Sequence, residues 1–386
     1  MYQKVIDFIR SAYNDNKFIP LHEPRFWGKE SVYLHNVIES TFVSSVGEYV
    51  NLFEKMICEI SGARFCVATV NGTAALHIAL LLSGVNSGDE VITQAVSFVA
   101  TSNAISYCGA VPIFIDVDYD TMGMSPDKLN RFFQQHTIKT KDGICRNKST
   151  KKKISACVPM HTFGHPCRID QIVEICKQNN VSVVEDAAES LGSLLNGTHT
   201  GVFGTAGIYS FNGNKTVTCG GGGAIVTNCE NFAIIAKHLT TTAKVPHPYE
   251  YIHDQIGYNY RLPNLNAALA CAQLEQLNYF IKCKRELASN YAQLFNSMDI
   301  SVVSEPPFAF SNYWLNAIIL PSLEERNKFL SLTNSVGVMT RPIWRLTNTL
   351  PAFNSCQTDD LHNSSKLANQ VVNIPSSVPD SYRPTQ

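Results

Sequence analysis

A chain of 386 residues, 45% of them hydrophobic, exceeds one average domain and can bury a large core, so two domains are expected. Its 31 basic and 32 acidic residues leave a net charge of −1, with no global positive field for a nucleic acid to meet. The 12 cysteines stand in apolar runs such as RFCVATV and ISACVPM without a CxxC pair, which argues against a disulfide framework or a thiolate metal site and predicts small buried hydrophobes in a reducing compartment.

The N-terminal MYQKVIDFIRSAYNDNKF interrupts every apolar run with a charge, so neither a signal peptide nor a membrane span is read and a cytoplasmic protein is expected. From residue 60 onward, short β-rich runs alternate with helical segments. ARFCVATV, DEVITQ, AVPIFIDVD, ISACVPM, VSVVEDAAES, AGIYSF and GAIVTN read as strands. GTAALHIALLLSG and VATSNAISYCG read as helices, and RIDQIVEICKQNN places Ile169, Ile172, Val173 and Cys176 on one apolar helical face. This is the pattern of an α/β fold with a large, mostly parallel sheet. The lysine-rich HTIKTKDGICRNKSTKKK reads as a solvated surface excursion. After about residue 245 the pattern changes to one long helical stretch, LPNLNAALACAQLEQLNYFIKCKRELASNYAQLF, then a short strand in YWLNAIIL and a helix in EERNKFLSLTNSVG. A large domain over residues 1–245 and a smaller C-terminal α/β domain over 246–386 are expected.

In such sheets, ligands bind at the carboxyl ends of strands beside helix N-termini. Three of these ends carry chemistry. NGTAAL puts Gly72 and Thr73 at a helix opening, where backbone N–H groups and the helix dipole suit a phosphate, although an ordinary N-cap reads the same way. Asp186 follows a run of valines, and a carboxylate there needs a cation or good donors; Glu189 stands three residues on. YSFNGNK brings Ser210 and Lys215 to a third strand end, and by itself such a lysine is a surface charge. Together, an anion cradle, a carboxylate and an amine are what pyridoxal phosphate needs for its phosphate, ring nitrogen and aldehyde. A dinucleotide-binding motif is excluded, because the four glycines after Cys219 lead into a strand. His161 and His165 read as structural, and Trp344 flanked by Arg341 and Arg345 is a candidate surface for a nucleotide.

The segments FVSSVGEYVNLFE, NGTAALHIAL, FVATSNAI, PIFIDVD, VPMHTFGHP, VVEDAAES, YSFNGNK and GYNYRLPNLNAALACAQLE, in this order, resemble the DegT/DnrJ/StrS family of nucleotide-sugar aminotransferases, over about residues 20–375. The resemblance implies fold type I of the pyridoxal phosphate enzymes. It implies Lys215 as the lysine that binds the cofactor covalently and Asp186 as the partner of its ring nitrogen. Gly72, Thr73 and Ser210 are implied at the phosphate, Phe98 over the ring face and Glu189 near the ring hydroxyl. Asn259 is implied to reach the phosphate of a neighbouring subunit, hence a homodimer. Arg261 is a candidate for the carboxylate of the amino donor, L-glutamate. No metal is implied. Where many relatives carry a glutamate, this chain has GGGG, which places the difference in substrate contacts. FIPLHEPRFWGKE, FNGNKTVTCGGGG and TRPIWRL look most like the legionaminic acid pathway enzymes that aminate C4 of a nucleotide-linked 4-keto-6-deoxy-N-acetylhexosamine. C3 amination or dehydration on the same scaffold is the alternative, and a non-enzymatic regulator that binds the cofactor or a sugar nucleotide is a further one, against which the retained Lys215 and Asp186 count.

Overall fold

A computed structural model describes residues 2–15, 17–307 and 309–384. Seven strands form the main sheet: β1 (Phe65–Thr69), β2 (Glu90–Gln94), β3 (Val111–Ile115), β4 (Ile154–Val158), β5 (Ser182–Asp186), β6 (Ala206–Ser210) and β7 (Gly223–Thr227). They lie in the order β1-β7-β6-β5-β4-β2-β3. Strand β7 runs antiparallel to both neighbours, and the other pairings are parallel. Each strand falls inside a run that the sequence predicts.

The period-two alternation of side chains divides the core between the faces of this sheet. Val67, Val91, Val184, Ile208 and Ile225 join one cluster, under helices α4 (Gly72–Leu82) and α5 (Val99–Tyr107) and the later helix over Glu230–Thr240. Their neighbours turn the other way. Ile92, Cys157 and Val183 meet α6 (Pro126–His136) and α7 (Ile169–Gln178), the latter through the predicted Ile169, Ile172 and Cys176. Ala68, Tyr209, Ala224 and Val226 form a further cluster with the helix over Glu48–Ser61 and with Ala267, Ala270 and Cys271. Helices on both faces leave the strand ends as the open edge.

The expected long C-terminal helix is two. After α8 (Glu230–Thr240), α9 (Asn264–Leu274) stops and α10 (Leu277–Asn296) starts anew across Glu275 and Gln276. Both Gln273 and Gln276 send their Nε2 to Glu30 Oε1, at 2.6 and 2.7 Å, so the break is held by a tertiary polar contact that no local pattern reveals. The lysine-rich excursion is likewise a hairpin, pairing Thr137–Lys139 with Cys145–Asn147. All its lysines but the half-buried Lys153 are exposed as expected, while Asn147 is buried and donates to Glu90 Oε2 at 2.9 Å.

A second, antiparallel sheet of β8 (Ser301–Val302), β9 (Asn316–Ile319), β10 (Arg341–Pro342) and β11 (Val371–Ile374) has the order β8-β9-β11-β10. One of its faces, with Ile318 and Val372, packs on Val5, Ile6 and Ile9 of the N-terminal helix over Tyr2–Tyr13 and on Leu287 of α10. The other, with Ala317 and Val371, packs with Phe114 of β3 and Phe163. No helix among the described residues is long and apolar enough to cross a membrane.

Candidate active site

The carboxyl ends of β1, β2, β5 and β6 deliver Gly72, Phe98, Asp186 and Ser210 to one edge of the sheet. There they line a cavity of about 330 Å³ together with Thr73, Glu189, Lys215 and Trp344. Seven of the eight residues expected to hold the cofactor are therefore gathered in one place.

Asp186 is buried, and its Oδ2 accepts from Thr101 Oγ1 at 2.6 Å while Oδ1 accepts from the Ala188 N–H at 3.2 Å. Those donors fix the carboxylate. Lys215 Nζ lies 3.4 Å from Glu189 Oε1, and Glu189 Oε2 accepts from the Phe163 N–H at 2.9 Å. Burial pushes the Glu189 carboxyl up to about 7; the charge of Asp186 adds to this, while Lys215 and the Phe163 N–H oppose it. A carboxyl raised toward neutrality thus sits beside the amine.

Helix α4 opens on an Asn71 cap whose Oδ1 accepts from the Ala74 N–H at 2.8 Å. A Cβ on Gly72 would come to 3.0 Å from Ser210 Cβ, so glycine lets the helix start approach the end of β6 without displacing that side chain. A Cβ on Gly223 would come within 2.4 Å of Asn71 backbone atoms. The last glycine of the run, Gly223, is the one against which the helix opening packs. Thr73, Ser210 and the N-terminus of α4, a place that suits an anion, line the same cavity as Lys215 and Asp186. This donor set fits pyridoxal phosphate.

Other expected residues lie elsewhere. Asn259 is exposed and accepts from Arg261 at 3.0 and 2.8 Å, and neither lines the cavity. Arg341 is exposed and donates to Asn334 Oδ1 and the Thr340 carbonyl, both at 3.1 Å, and Arg345 is exposed. Of the nucleotide candidates only Trp344 reaches the cavity, its ring 5.1 Å from that of Phe163. His161 is buried with Nε2 3.2 Å from Glu185 Oε2, and His165 is buried against Tyr313. Burial lowers the His165 imidazole to about 4. Thr101, Trp314 and Asn214 escaped the sequence reading. Thr101 lies 85 residues from the aspartate it holds, and Trp314 belongs to a segment read only as a strand.

A model of the DegT/DnrJ/EryC1/StrS aminotransferase family matches residues 28–380. GDP-perosamine synthase of Escherichia coli O157:H7 is 39% identical over 337 residues, 87% of each chain. The Vibrio cholerae protein of that name is 33% identical over 362 residues, 93% of this chain and 94% of the other. Among solved structures, Helicobacter pylori PseC, an aminotransferase involved in the biosynthesis of pseudoaminic acid, matches with a TM-score of 0.84 at 21% identity, over 93% of this chain and 94% of that one, which bears on the fold. Sequence match over nearly the whole chain and a cavity that suits the cofactor lead to one conclusion: the chain belongs to the DegT/DnrJ/EryC1/StrS family and is a pyridoxal phosphate-dependent sugar aminotransferase.

Proposed function

We propose that the protein moves an amino group from L-glutamate to C4 of a UDP-linked 4-keto-6-deoxy-N-acetylhexosamine, for a legionaminic-type sugar acid or a related surface glycan. The observation that carries the transfer chemistry is the meeting of Lys215, Asp186 and Glu189 in one cavity beside the α4 N-terminus. Bound there, pyridoxal phosphate supplies an aldehyde for amines and a ring that accepts electrons when a proton leaves the substrate carbon. Asp186, steadied by Thr101, keeps the ring nitrogen protonated. Thr73, Ser210 and the helix N-terminus hold the phosphate. Lys215 carries the proton from the substrate carbon of the donor, and later returns one to that of the acceptor. Glu189, 3.4 Å away, takes up and gives back the proton at that amine. Phe98, 53% exposed at the cavity, offers a flat face, and Trp344 helps keep water from the reacting atoms.

A second copy completes the site by lending Asn259, which is exposed and outside its own cavity. Exposed apolar side chains such as Phe42, Val46 and Ile256 supply surface for that contact.

The names of the relatives favour a second reading, a GDP-linked sugar. Incubation with glutamate and a panel of UDP- and GDP-linked 4-ketosugars, with the products assigned by NMR, separates the two. Amination at C4 of the UDP-linked N-acetyl sugar is expected. Turnover of the GDP-linked sugar alone favours the second reading, and C3 amination or dehydration overturns both.

A further inference from the structure

Trp314 is 4% exposed, lines the cavity, and lies outside the set of residues so far given a role. Lys215 Nζ stands over its indole face, 4.1 Å from the ring centroid. The indole N–H donates to the carbonyl of Asn214 at 2.6 Å, the residue just before the lysine. One side chain therefore touches both the backbone beside Lys215 and its amine. The backbone of Trp314 is held as well. Asn312 Oδ1 accepts from the Trp314 backbone N–H at 2.8 Å, and Asn312 Nδ2 donates to the backbone carbonyls of Glu189 and Leu191 at 2.8 and 2.9 Å. The backbones that carry the aromatic face and the carboxylate are thus joined through Asn312.

We propose that Trp314 is a positioning residue that parks the ε-amino group of Lys215 beside Glu189 whenever that amine is not covalently engaged. An ammonium is attracted to an indole face, more strongly where water is excluded, and this attraction is added to that of the Glu189 carboxylate. An amine released by the incoming amino donor would otherwise sample the open cavity. Held between ring and carboxylate, it stays within reach of the proton it must move. The inference rests on the role proposed for Lys215.

The test uses the full-length, cofactor-free chain and an acylating reagent, with labelling of Lys215 followed by peptide mass spectrometry. Trp314→Leu is expected to speed labelling about three- to thirty-fold, the range that a lost cation–π contact gives. Trp314→Phe, which keeps a ring face, is expected to stay nearer the wild type. In the holoenzyme Trp314→Leu should lower kcat while leaving KM for the ketosugar within about twofold, and phenylalanine should restore part of kcat. Unchanged labelling and kcat in Trp314→Leu overturn the proposal, as does equal loss in both variants. If the leucine variant does not fold, Trp314→Met gives the same readout. Lys215→Ala separates the two levels: cofactor that still becomes fixed to that variant on borohydride reduction defeats the role of Lys215 itself. Failure confined to the Trp314 variants leaves that role standing.

Discussion

Glu189 is the residue at which environment most changes chemistry. In water its carboxyl would be ionised well below neutrality, and burial brings it to about 7. Between the unfolded value near 4.5 and the folded one, the folded state holds a proton that the unfolded chain has released. This group's contribution to stability is therefore complete below about pH 4.5 and is lost as pH rises through 7. Its ionisation also changes the charge beside Lys215. Glu189→Gln keeps an acceptor for the Phe163 N–H but cannot titrate. The expected result is a pH–rate profile without an inflection near 7, alongside a kcat lowered about ten- to a hundredfold. A profile that keeps this inflection assigns it to another group. In the sequence, Glu189 was visible as a second carboxylate after Asp186 and through the family resemblance; its elevated proton affinity comes from burial, which the Phe163 N–H, 26 residues away, partly opposes.

At the scale of elements, the glycine run and helix α4 form one unit. Gly223 Cα faces the Asn71 backbone so closely that an added Cβ has no room, whereas a Cβ on Gly221 would meet nothing nearer than the Val70 carbonyl at 3.8 Å. Gly223→Ala should move the start of α4, costing about 1–3 kcal/mol in thermal unfolding and weakening cofactor binding in a titration. Gly221→Ala should stay within about 0.5 kcal/mol of the wild type. Equal effects at the two positions would separate the glycine run from the cradle. The sequence shows only that four glycines lead into a strand. That a Cβ on Gly223 would meet Asn71 depends on the pairing of β1 with β7, which sets Thr69 opposite Gly223.

Across the whole molecule, stability and assembly raise two further expectations. Lys284 of α10 is 1% exposed and donates to the Ser376 carbonyl, with His22 Nε2 at 3.0 Å. Burial lowers its ammonium to about 7, and the charge of Arg25 adds to the shift. Between about 7 and 10.5 the unfolded chain binds a proton that the folded one does not, so stability rises with pH across that window. Lys284→Met should raise stability at pH 7 by on the order of 1–3 kcal/mol, with the gain shrinking toward pH 10 in denaturant melts. A gain independent of pH would point to packing alone. For the proposed dimer, a mixture of Lys215→Ala and Asn259→Ala chains should regain activity after refolding together, since each hybrid would have one intact site. No recovery would place Asn259 outside the neighbour's site. The proposed division near residue 245 is open to limited proteolysis. Val5, Ile6 and Ile9 find their partners in Phe329, Val372 and their neighbours, so a fragment of residues 1–245 would leave that face uncovered.

The sequence by itself determined the alternation of strands and helices, the apolar face of α7, and the strand ends at which Asp186, Ser210 and Gly72 appear. These are local properties: periodicity, β-branched runs and capping residues act over a few positions. It also carried the family, whose model matches residues 28–380. Only the tertiary structure decided that α9 and α10 part at Glu275, because the contacts that hold the break reach Glu30. It alone set Thr101 on Asp186 and Trp314 over Lys215, and left Arg341 and Arg345 outside the cavity. Those outcomes turn on hydrogen bonds and ring contacts between residues from 85 to 246 positions apart, where spacing along the chain carries no information about distance in space.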